Sequence, residues 1–181
     1  MKVRILFLVT VLFLISCAEP VARKPKKHGT TNFYQEVIKK NKKLNGLEKS
    51  RLESWIRKDT LHNYVESASG YWYYYEKKDS TESISPKLED VVEIEFDVKQ
   101  INGSVVYDKM KRTYKVDKED FIPALQDGIK LMKKGETITF VIPSYRAFGV
   151  SGDGNKIGIN QPIKSTVTLI DIKQINNNEN D

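Results

Sequence analysis

The chain has 181 residues, 30% of them charged and 39% hydrophobic, a balance that fits one folded soluble body and excludes a multi-span membrane protein or wholesale disorder. One cysteine excludes a disulfide framework or a cysteine-rich zinc site, and ten glycines with six prolines exclude a collagen-like chain. The formal charge of +6 is uneven: residues 18–59 hold 12 basic and 5 acidic groups, a net +7, whereas residues 60–181 hold 16 and 19, a net −3.

Lys2 and Arg4 precede an uninterrupted apolar run, Ile5 to Ile15, the charged and hydrophobic regions of an export signal. Eleven residues are too few for a helix to cross a hydrocarbon core of ~30 Å. Leu14-Ile15-Ser16-Cys17 then resembles the bacterial lipobox, with the sole cysteine where lipidation needs a thiol. That resemblance implies loss of residues 1–16, lipidation of Cys17 and, with Ala18 rather than aspartate next, an outer-membrane anchor facing the periplasm. Residues 17–31 carry Pro20, Pro25 and the basic groups Arg23, Lys24, Lys26, Lys27 and His28, and read as a disordered tether. The tether either lies against anionic headgroups or is a solvated spacer. The exported address and the acidic main part both argue against a nucleic-acid partner.

Residues 32–66 are predicted as an amphipathic helical segment. Asn32 is a candidate N-cap, Phe33, Tyr34, Val37 and Ile38 share one face, and Lys39, Lys40, Lys42 and Lys43 face solvent. Asn45-Gly46 is expected to break or kink it, after which Leu47, Leu52, Trp55 and Ile56 continue the stripe. Such a stripe serves either its own domain or a second copy of the chain.

From residue 70 the pattern turns to β. Gly70 to Tyr75 reads as an aromatic strand with one face buried and one wet. Val92, Ile94, Phe96 and Val98 alternate with Glu93, Glu95 and Asp97, the period of a half-buried antiparallel strand. Asn102-Gly103 suits a tight hairpin, Val105 to Tyr107 returns, and Tyr114 and Val116 suggest a further short strand. Pro123 and Gly135 frame a helix over 124–132, and 137–142 and 162–175 supply two more β-rich runs. The expected class is α+β: a mainly antiparallel sheet with one helix laid on it. A polar tail, 176–181, follows.

Four pieces in register, Phe121-Ile-Pro-Ala-Leu-Gln-Asp-Gly-Ile129, Met132-Lys-Lys-Gly-Glu-Thr137, Ile142-Pro-Ser-Tyr-Arg-Ala-Phe-Gly149 and Ile157-Gly-Ile-Asn-Gln-Pro162, resemble the FKBP-type peptidyl-prolyl cis-trans isomerases over residues 70–175. With the lipobox, the lysine-rich helix and the aromatic strand, the whole is similar to the gliding-motility-associated FKBP-type lipoproteins of the Bacteroidota. The resemblance implies a twisted antiparallel sheet wrapped around a short helix, with a proline pocket between them. It implies no cofactor and no metal. The implied partners are proline-containing exported polypeptides, the bacterial membrane through Cys17, and components of a gliding or secretion machinery.

Carried over by position, the resemblance assigns the catalytic places to Asp108, Tyr107 and Phe148 and the substrate-binding places to Phe96, Phe121, Ile122, Leu125 and Ile157. Phe96 and Tyr107 would wall the prolyl ring, Leu125 would be its floor, Asp108 would face the twisting carbonyl and the Ile122 N–H would hold a substrate carbonyl. Three positions depart from the family pattern. Leu125 replaces a common tryptophan, Phe148 a tyrosine that offers a hydroxyl, and Ser165 a phenylalanine, which would open or wet one wall. One residue is also inserted before Tyr107. Two functions follow: an envelope-facing prolyl isomerase for exported proteins, or a weakly active or inactive binding module of a motility machine.

Overall fold

The computed structural model describes residues 30–79, 81 and 84–175, so the stretches expected to be the export signal, Cys17, the tether up to residue 29 and the polar tail lie outside the described residues. Residues 30 and 31, expected to end the tether, already belong to a helix. The chain divides into two units, 1–39 and 40–181. The described part of the first is the opening of helix α1 (Thr30–Ile56), where Phe33, Tyr34, Val37 and Ile38 are exposed.

In the second unit α1 runs through Asn45-Gly46 without the expected break. A glycine inside a helix costs only about 1 kcal/mol against alanine, and the docked residues that follow outweigh it. The helix ends at Ile56, and 57–64 turn into a two-residue strand rather than continuing the helical segment.

Six strands follow: β1 (Val65–Glu66), β2 (Trp72–Lys77), β3 (Val91–Gln100), β4 (Val105–Lys115), β5 (Thr137–Ile142) and β6 (Ile163–Lys173). They form one sheet in the order β1-β2-β5-β6-β3-β4, every neighbouring pair antiparallel. Helix α2 (Pro123–Ile129) lies between β4 and β5 in sequence, and a 3₁₀ turn (Ser144–Arg146) follows β5. This is the expected α+β class.

Three differences from the expectations have physical causes. First, β4 is one long strand, not two short ones, because its polar middle sits at the sheet edge, where charge is tolerated: Lys109 and Lys111 reach Glu95 and Glu93 on β3. Second, α2 stops at Ile129 because the N–H groups of Leu131 and Met132 bond three residues back, to Gly128 and Ile129, and tighten the last turn. Third, only Gly103 of the Asn-Gly pair takes a positive φ, +94°. The β3–β4 connection is therefore a β-turn closed by the Gly103 N–H on the Gln100 carbonyl at 2.9 Å, followed by a glycine bulge.

Both faces of the sheet are covered. On one, Ala124, Leu125, Ile129 and Met132 pack against Ile94, Phe96, Ile138, Phe140, Ile142, Val167 and Leu169 in the main core. On the other, Leu52 of α1 meets Trp72 and Val141, with Trp55, Ile56 and Tyr64 alongside. Neither face of β2 is wet, where one was expected to be: Trp72 and Tyr74 are 4% and 5% exposed, and Tyr73 and Tyr75 pack against the main core. The end of α1 is fixed by Asp59, whose carboxylate lies 2.8 Å from His62 Nδ1 and accepts the Tyr64 hydroxyl at 2.8 Å, while His62 stacks on Tyr74 at 4.2 Å.

Candidate active site

Helix α2 supplies the base of the site. Pro123 occupies its first turn, where a missing N–H costs nothing, and Leu125 on its inner face is fully buried in the main core. The Ile122 carbonyl accepts the N–H groups of Leu125 and Gln126 at 2.8 and 3.0 Å, while its own N–H meets no acceptor among the described residues. Phe121 is half buried: its ring stands edge-on to Phe96 at 5.1 Å, and the Arg112 guanidinium covers it at 4.6 Å from the ring centre.

The register of β4 decides where Tyr107 and Asp108 go. Val98 pairs with Tyr107 and Lys99 with Val105, which leaves Val106 as an extra residue just before Tyr107. A second bulge follows, because Phe96 pairs with Met110 and Asp97 alone opposes Asp108 and Lys109. Each bulge turns the strand and re-aims its side chains. Tyr107 packs against the main core, whereas Asp108 is exposed and its side chain makes no hydrogen bond or ion pair among the described residues. Of the eight expected site residues, the structure gathers Phe96, Tyr107, Phe121, Ile122, Leu125, Phe148 and Ile157 on one apolar cluster and leaves Asp108 facing solvent.

Phe148 follows the 3₁₀ turn, and that turn is held from two sides. Glu48 of α1 accepts the Ser144 N–H and the Ser144 hydroxyl, each at 2.6 Å, and Arg146 pairs with Asp127 of α2. The Gly149 N–H closes back on the Ser144 carbonyl at 2.8 Å. Ile157 is buried on the returning loop, where its N–H bonds Asp153 Oδ1 at 2.8 Å. The Tyr107 hydroxyl donates to Asp153 Oδ2, and this bond lifts the phenol above its ordinary pKa, with partial burial adding to it. Partial burial pushes the Asp153 carboxyl up, but the bonds from Tyr107, Asn155 and Ile157 outweigh it and hold the group below the usual carboxylate value.

The expected opening at Ser165 is absent. The side chain is fully buried, and its hydroxyl donates to the Asp97 carbonyl at 2.6 Å, so the β3–β6 seam consumes the polar group instead of admitting water. Two residues escaped the sequence reading. Asp153 sits in Gly-Asp-Gly-Asn, which reads only as a turn, although an aspartate bonding backbone two residues on is a known turn device. Glu48 lies at i of the i, i+4, i+7, i+8 set with Leu52, Trp55 and Ile56, and a charge on an apolar stripe is the signal for a buried partner.

The profile of the FKBP-type peptidyl-prolyl cis-trans isomerase family matches residues 82–170. A probable FKBP-type peptidyl-prolyl cis-trans isomerase, FkpA of Neisseria meningitidis serogroup B, is 30% identical over 150 residues, which are 77% of this chain and 53% of that protein. The chain thus spans about half the length of that curated relative. Among solved structures, a peptidyl-prolyl cis-trans isomerase of Pseudomonas syringae pv. tomato has a TM-score of 0.60 at 20% identity, covering 74% of this chain and 96% of that one. FkpA from Escherichia coli has a TM-score of 0.59 at 22% identity over 96% of this chain and 82% of its own, a likeness in fold that takes in helix α1.

Proposed function

We propose that this protein, whose residues 82–170 belong to the FKBP-type peptidyl-prolyl cis-trans isomerase family, accelerates rotation about X-Pro bonds in exported polypeptides while tethered to a bacterial membrane. Rotation breaks amide resonance at a cost of ~18–20 kcal/mol, and X-Pro bonds turn over unaided in tens to hundreds of seconds. An apolar, water-poor site favours the twisted amide, in which charge separation across the C–N bond is reduced, and a fixed donor can hold a neighbouring carbonyl.

In this reading Phe96, Tyr107 and Phe148 wall the prolyl ring, Phe121 and Ile157 flank it, and Leu125 is the floor. The unengaged Ile122 N–H receives a substrate carbonyl. Asp108, unpaired at the rim, is the carboxylate open to the chain around the proline. The observation that carries the reading is the gathering of these apolar side chains on one cluster around α2. The tether from Cys17 would keep the domain in the envelope at the outer membrane facing the periplasm. Its clients there would include components of a gliding or secretion machinery, as the likeness to motility-associated lipoproteins suggests. No helix among the described residues is long and apolar enough to cross a membrane.

One observation favours a second reading, a weak or inactive binding module: Leu125 is wholly buried and Phe148 has no hydroxyl, so the floor offers little area and one donor is missing. The test is cis-to-trans relaxation of short X-Pro peptides with the full chain beside Phe148→Ala and Phe121→Ala. Acceleration that both substitutions remove supports the isomerase. Background rates from a folded chain that still binds the peptides support the binding module.

A further inference from the structure

We propose that Asp153 is the positioning residue of the site, a carboxylate that latches the loop between Phe148 and Pro162 onto β4 and so sets the distance between the Tyr107 and Ile157 walls. The inference rests on the isomerase reading and deepens it. One side chain holds both walls: Oδ2 accepts the Tyr107 hydroxyl, and Oδ1 accepts the N–H groups of Ile157 at 2.8 Å and Asn155 at 2.9 Å. The Asp153 N–H in turn bonds the Ile157 carbonyl at 3.1 Å, so residues 153 and 157 are tied in both directions. Lys156 closes the same corner, with its ammonium 5.1 Å from the centre of the Tyr107 ring and 3.3 Å from the Val106 carbonyl.

The loop admits few alternatives to this path. Gly152 has φ +69°, and a Cβ there would lie 3.1 Å from the Gly158 carbonyl carbon and closer still to the Ile157 carbonyl oxygen, so the two limbs cross with nothing between them. Tyr107 itself stands between two bulges, where the β ladder is interrupted on either side and controls its aim weakly. A charge-assisted hydrogen bond from outside the sheet supplies the constraint that the ladder lacks. Asp108, one residue on, cannot do this, since its carboxylate is exposed and bonded to nothing among the described residues.

The test compares the full wild-type chain with Asp153→Ala, Asp153→Asn, Tyr107→Phe and the Asp153→Ala/Tyr107→Phe pair. Each is measured for kcat and KM on X-Pro peptides and for its urea unfolding midpoint. Asp153→Ala removes the acceptor of three hydrogen bonds and lowers the unfolding midpoint. With the chain still fully folded under assay conditions, its kcat/KM is expected to fall about tenfold. Tyr107→Phe, which loses one of the three bonds, shares the kinetic loss with a smaller change in midpoint. Asp153→Asn, which retains an acceptor for the Ile157 N–H, recovers part of it. Tyr107→Phe adds no further loss in the Asp153→Ala background, because the hydroxyl has already lost its acceptor. An active wild type with unchanged Asp153→Ala kinetics, or losses that multiply in the double variant, overturns this inference alone. A fall in kcat/KM that tracks a lowered midpoint in every variant also overturns it, since that is a purely structural role. A folded wild type without acceleration removes the isomerase reading and this one with it.

Discussion

Gly128 carries the sharpest steric prediction in the fold. It sits inside α2, three residues from Leu125, and a Cβ there would lie 2.7 Å from Phe140 Cζ and 3.3 Å from Cδ1, with Cε1 closer still. Helix propensity alone would favour Gly128→Ala by about 1 kcal/mol. Against this stands the Phe140 ring, fully buried on β5 between Tyr71 at 5.8 Å and Tyr73 at 6.2 Å, so it has no open direction in which to yield. Forcing a methyl into a packed core costs about 1–3 kcal/mol and occasionally more, and here the contact is with a rigid ring. With the cost in the upper part of that range, about 2–3 kcal/mol, the net expectation after the propensity gain is a loss of about 1–2 kcal/mol, which at about 2–4 °C per kcal/mol lowers Tm by roughly 2–8 °C for a chain of this size. Urea unfolding followed by far-UV circular dichroism measures it. Phe140→Leu, which trims the ring, should make Gly128→Ala neutral or stabilising relative to Phe140→Leu alone. A Gly128→Ala chain as stable as wild type, or more so, would refute the argument, because propensity would then have outweighed packing.

Three further outcomes follow from the same contacts. Leu52→Ala should cost toward the lower end of the ~2–5 kcal/mol for a buried leucine, since its cluster is small; hydrogen exchange should rise across 47–56 while the amides of β3 and β6 stay protected. Glu48→Ala should lose about 1–2 kcal/mol by removing the acceptor of both Ser144 bonds, and should raise KM for prolyl peptides by loosening the turn before Phe148; Glu48→Gln should retain part of each effect. The Asp59 carboxyl is held down at about 2, first by its bond with His62, with the Tyr64 hydroxyl and the Leu61 N–H outweighing partial burial. Its folded value lies below the unfolded one of about 3.9, so its stabilisation is present above that pH and is lost as pH falls from about 4 through about 2. Both tryptophans, Trp55 and Trp72, lie in the cluster that Asp59 closes, so their fluorescence should shift in that window, and Asp59→Asn should abolish the step.

Periodicity and local chemistry determined the elements of this protein. The alternation from Val91 to Val98 set a strand with its buried side chains named in advance, and Pro123 with the apolar spacing after it set α2, because those signals arise within a few residues. Seven of the eight positions that the resemblance assigned meet in one cluster, because α2 and the sheet bury the same apolar faces that the motifs contain. The rest depended on what each surface meets across the fold. The apolar stripe of α1 reads alike along its length, yet Phe33, Tyr34, Val37 and Ile38 are exposed, whereas Leu52 is buried because Trp72 and Val141 of the sheet pack on it. The aromatic strand, expected to keep one face wet, has both faces covered, one of them by that same helix end. Asp108 and Asp153 are both aspartates in polar stretches; two bulges in β4 turn the first to solvent, and a loop crossing brings the second, 46 residues from Tyr107, onto its hydroxyl. Register and long-range approach are properties of the paired chain, and neither is written in the local pattern that spells out strands and helices.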